Sequence, residues 1–82
     1  MKFKTGNWYS ISWSGLVGVS EYIEVLELGD GPWIRVQTYH SERDGDQFWM
    51  FQGGDAKWIN TNHLASCQEY KRSELPKEWK PK

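Results

Sequence analysis

The sequence predicts an all-β fold: a five-stranded barrel with one 3₁₀ turn before its last strand and a mobile C-terminal tail. Three observations carry that expectation. Apolar residues alternate with period two along most of the chain, the pattern of strands with one buried face. Glycine- and aspartate-rich breaks separate these runs at short intervals. No long helical periodicity interrupts them, and there is no internal repeat. With 82 residues, the chain holds a single core and buries roughly 60–65% of its unfolded surface. Two-domain architectures and multi-unit βαβ cofactor folds are thereby excluded.

The first strand covers Asn7 to Ser14, with Tyr9, Ile11 and Trp13 on one face and Trp8, Ser10 and Ser12 on the other. Residues Gly15 to Ser20 read as a glycine-punctuated loop folded back on the barrel. Glu21 to Leu28 is a strand whose phase slips: Ile23 and Val25 share one face, Leu26 and Leu28 the other, so a bulge falls near Val25–Leu26. A helix competes there, but Gly29-Asp30-Gly31-Pro32 stops the run too soon. Trp33 to His40 alternates cleanly, Ile34, Val36 and Thr38 against Trp33, Arg35, Gln37 and Tyr39. Ser41 to Asp46 is a charged hairpin turn with an Asp-Gly signal. Gln47 to Gln52 is apolar on both faces, as a central strand is. A turn at Gly53-Gly54-Asp55 leads to the short strand Lys57–Ile59, a 3₁₀ turn at Asn60–His63 and a closing strand, Leu64 to Tyr70. Domain and tail divide as 1–70 and 71–82; Leu75 and Trp79 are the tail residues placed to dock.

The order of elements and the segment Gly54 with Trp58-Ile59-Asn60-Thr61-Asn62-His63-Leu64 resemble the closing part of SH3-like barrels, of the small bacterial or phage kind. The motif covers about a fifth of the chain. The aromatic, acidic opening of eukaryotic SH3 domains is missing, as is a proline in the 3₁₀ turn. The resemblance therefore implies the fold and not the proline-peptide specificity. An OB-like barrel is the rival, but no helix is present for its usual connection.

Composition bounds the function. Six Trp, four Tyr and three Phe must do much of the core filling, because branched aliphatics are scarce; each ring buries about 150–250 Å². Most rings are then structural, and those left outside compose a recognition patch. Residues 5–69 carry three cations against nine carboxylates, a body of net −6, while residues 70–82 carry five cations against two carboxylates. An acidic body repels phosphate and suits a basic or proline-rich peptide. The single Cys67 forms no internal disulfide, and the N-terminus lacks an apolar signal core, so a cytoplasmic protein is expected. No apolar run approaches the ~18 residues of a membrane span.

His40, His63 and Cys67 are too few and too scattered for structural zinc. Asp44-Gly45-Asp46 lacks the spacing of a calcium loop. His63 with Ser66 or Cys67 offers a nucleophile but no orienting group or nucleophile elbow, and Glu24 and Asp46 cannot be paired from sequence. The expectation is a noncatalytic module without cofactor or metal. It binds a protein or peptide partner, a second copy included, through Trp8, Trp33, Arg35, Tyr39, Trp49 and Trp58. Single-stranded nucleic acid, held by stacking and the basic tail, is the alternative partner.

Overall fold

In the computed structural model, the structure describes residues 3–13 and 20–79. Apart from Ser20, the loop expected over 15–20 lies outside the described residues, as do both chain ends. Seven strands form among the described residues: β1 (Trp8–Trp13), β2 (Ser20–Leu28), β3 (Trp33–Asp44), β4 (Gln47–Gln52), β5 (Lys57–Asn60), β6 (Leu64–Tyr70) and β7 (Lys77–Glu78). Single 3₁₀ turns occupy Thr61–His63 and Arg72–Glu74, and there is no α-helix among the described residues.

The strands build one mixed sheet in the order β6-β1-β2-β3-β4-β7, with β5 on β3. The closed five-stranded barrel expected from sequence does not form. No pairing among the described residues joins the two ends of the sheet, and the outer edge of β4 is occupied by the tail strand β7, which pairs in parallel through Trp49–Lys77 and Met50–Glu78. The remaining pairs are antiparallel.

Local chemistry explains the elements. The phase slip in β2 is a bulge: the register shifts between Val25 and Glu27, so Leu26 is the extra residue. Strand β3 runs four residues past the expected stop at His40. Its charged end, Ser41–Asp44, pairs with β4 in a projecting hairpin where both faces meet water and no apolar periodicity marks the strand. The reversal itself needs only Gly45-Asp46, with Gly45 at φ +61°. Between β4 and β5 the chain is stitched to the middle of β3. The Gly53 N–H donates to the Thr38 carbonyl (2.8 Å), Thr38 Oγ1 to the Gly53 carbonyl (3.1 Å), and Gln37 Nε2 to the Gly54 carbonyl (2.8 Å). These bonds satisfy the buried polar side chains Gln37 and Thr38.

Strand alternation gives the sheet two covered faces. The first is mainly aliphatic: Ile11, Ile23, Val25, Ile34, Val36 and Ile59 pack with Tyr9, flanked by Phe3, Trp13, Leu64 and Cys67. The second joins Tyr39, Met50 and Leu75, flanked by Trp8, Tyr22 and Tyr70. Its cover is the tail. The turn at Arg72–Glu74 reverses the chain, held by Lys71 N–H donating to Glu74 Oε1 (2.7 Å), and Leu75 drops onto Met50 and Tyr39. Arg72 lies over the Trp8 ring at 5.2 Å and donates to the Pro76 carbonyl (2.9 Å). The segment expected to be a loose tail is anchored: Leu75 is buried and Lys77–Glu78 pair with β4, while residues 71–74 stay at the surface.

Candidate functional site

The β2–β3 hairpin ends in Gly29-Asp30-Gly31-Pro32, and its geometry is fixed from both sides. The Gly29 N–H donates to the Trp33 carbonyl (2.9 Å) and the Trp33 N–H to the Asp30 carbonyl (3.2 Å). The Pro32 carbonyl accepts from the Thr61 N–H (2.9 Å) and from Thr61 Oγ1 (2.8 Å). The turn is thus tied to the 3₁₀ turn that follows β5, a rigid base for whatever side chains it carries.

Three large apolar groups stand in solvent there. Trp33 and Trp58 are each 45% exposed and Leu28 is 51% exposed. With Glu27, Gly29 and Asp30 they line an open cleft of about 390 Å³. Gly29 lets the Trp58 ring come close: a Cβ at this position would sit 2.6 Å from the far edge of the indole and push the ring aside. The ring therefore lies over bare backbone. Glu27, Arg35 and Trp58 form one cross-strand row, since Arg35 is the register partner of both, and Trp33 precedes Arg35 on the same face of β3. The residues lining the cleft include two carboxylates and no cation.

The six residues singled out from sequence separate into three groups. Trp33 and Trp58 wall the cleft, with Arg35 beside them. Trp8 and Tyr39, expected at the surface, lie instead beneath the tail: Tyr39 is buried, and its ring meets Trp8 at 5.1 Å. Burial first, then Glu78 and Glu24, raise the Tyr39 phenol above its ordinary pKa, with Arg72 opposing. Trp49 is half-buried on the hairpin, where it lines a separate cleft with Gln47, Phe48, Leu75, Pro76 and Lys77. Nothing in the sequence periodicity marks Glu27, Leu28 and Asp30 as cleft residues. The signal available for them was the glycine-proline turn immediately before Trp33, which marks only a reversal until Trp58 is brought across it.

The chemistry-bearing residues elsewhere do not assemble. His40 lies on the hairpin, stacked on Phe51 at 5.5 Å and 3.3 Å from Glu42; Trp79 stacks on Phe51 at 5.4 Å. Ser66 Oγ shares a 2.6 Å hydrogen bond with Ser12 Oγ. Cys67 packs against the first core, and burial chiefly pushes its thiol pKa up, which disfavours the nucleophilic thiolate. No group of three metal-ligating side chains converges among the described residues, and no helix there is long and apolar enough to cross a membrane.

No protein family matches the chain, and neither a curated protein nor a solved structure does so.

Proposed function

We propose that this chain is a noncatalytic binding module that holds a segment of a protein or peptide partner in the Trp33–Trp58 cleft. The observation that carries this reading is the pair of half-exposed indoles lining one cleft beside a turn braced by hydrogen bonds. Burying an indole stabilises a fold by several kcal/mol at most sites, so two left in solvent beside each other suit an intermolecular contact. The SH3-like element order and a reducing, cytoplasmic setting for the free thiol of Cys67 complete the reading. Single-stranded nucleic acid is the weaker alternative. The basic tail on which it depends has Arg72 engaged over Trp8, and the cleft rim is acidic.

The test is affinity capture with the intact chain against Trp33→Ala and Trp58→Ala. A partner held by the native chain and lost with both variants, each still showing a folded β spectrum, is the expected outcome. A partner retained undiminished by both variants contradicts the proposal.

A further inference from the structure

Resting on that reading, we infer that the cleft accepts a cationic side chain, a lysine or arginine presented by an extended partner segment, inserted between Trp33 and Trp58 and held at the rim by Glu27 and Asp30. Three features converge on this chemistry. Each indole offers a negative π face, and both rings line one cleft of about 390 Å³, room for a butylammonium or propylguanidinium stem. The indole rings themselves supply the apolar surface for the methylenes of such a stem, which long cationic side chains bury while keeping the head group hydrated; Leu28, the register partner of the core residue Ile34, belongs to the other face of the strand. Glu27 and Asp30 place two formal negative charges at the mouth with no cation among the lining residues.

Charge and shape thus select together. A neutral apolar side chain would fill the cleft but forgo both the carboxylates and the attraction of a cation for the ring faces. An acidic one would be repelled. Arg35, the cross-strand partner of both Glu27 and Trp58, offsets part of the Glu27 charge but is not among the lining residues, and Asp30 on the turn adds a second carboxylate. The site is also preorganised. The hydrogen bonds within residues 29–33 and from Thr61 to Pro32 hold the turn without a ligand, so little ordering opposes binding.

The inference is tested on the full chain with three capped peptides of one sequence, Gly-Pro-X-Pro-Gly, where X is lysine, trimethyllysine or norleucine. Binding is read from the indole N–H signals in ¹⁵N–¹H spectra. The expected result is movement of the Trp33 and Trp58 signals, with the lysine and trimethyllysine peptides binding at least about tenfold more tightly than the norleucine one. Raising ionic strength from about 0.05 M to about 0.5 M should narrow that gap. Glu27→Gln with Asp30→Asn should remove most of it while leaving the spectrum dispersed. Equal binding of lysine and norleucine peptides would overturn the cationic assignment and leave the binding reading standing as an apolar one. If none of the three peptides moves either indole, but the partner recovered by affinity capture does, the cationic assignment falls alone. Failure of that partner as well removes both.

Discussion

Trp8 and Trp33 begin two strands of the same sheet and meet opposite fates. Trp8 lies against Tyr39 with Arg72 above it, inside a cover made by the chain's own residues 71–79. Trp33 lies beyond the reach of that cover, at the hairpin end, and keeps 45% of its surface in water. Both have the same residue chemistry and both lie on faces that strand alternation assigns away from the aliphatic core. The difference is non-local: one face has a tail folded over it and the other end does not. A ring on the polar face of a strand is therefore a candidate for recognition only after every other segment of the chain has been placed.

The largest effects should come from the two covered faces. Ile23→Ala removes a fully buried side chain from the aliphatic core and should cost about 3–4 kcal/mol of unfolding free energy. Leu75→Ala empties the tail's anchor over Met50 and Tyr39 and should cost about 2 kcal/mol, read by denaturant unfolding. The two should also differ in kind. Ile23→Ala lowers stability throughout, whereas Leu75→Ala moves the Trp8 indole signal and leaves those of Trp33 and Trp58 in place. A Leu75→Ala variant with native stability and an unmoved Trp8 signal would break the contrast between covered and uncovered rings.

A smaller effect sharpens it. Burial holds the Tyr39 phenol above its ordinary pKa of about 10, so the unfolded chain loses this proton at lower pH than the folded one. The stabilisation is present below about pH 10 and is lost as pH rises through the folded value. Tyr39→Phe should flatten that alkaline loss and change little at neutral pH. An unchanged slope above about pH 10 would mean that Tyr39 is as hydrated as an exposed phenol.

Sequence periodicity located the local elements well and the non-local ones poorly. The bulge in β2 was visible because Val25 and Leu26 break phase, and the run Trp58–Leu64 showed both the turn at Thr61–His63 and the strand after it. The extension of β3 through Ser41–Asp44 was hidden, because a strand wetted on both faces carries charge in place of alternation. Element order implies barrel closure, but it does not encode that β7 takes the edge of β4. The covering of Trp8 and Tyr39 depends on a turn at Arg72–Glu74 that aims Leu75 at a strand some 25 residues away in sequence, Met50 to Leu75. Period-two reasoning does not reach such a contact. At the cleft, Trp33, Arg35 and Trp58 were legible as outward-facing residues, but the partnership of Trp58 with Gly29 required the fold.

The most direct measurement is a paired denaturant titration of Trp8→Ala and Trp33→Ala against the native chain. Trp8→Ala should lose about 3 kcal/mol of unfolding free energy, and the half-exposed Trp33→Ala a clearly smaller amount, about 1–2 kcal/mol. Comparable losses, or a larger one for Trp33→Ala, would place Trp33 in the structural core and contradict its assignment to a binding site.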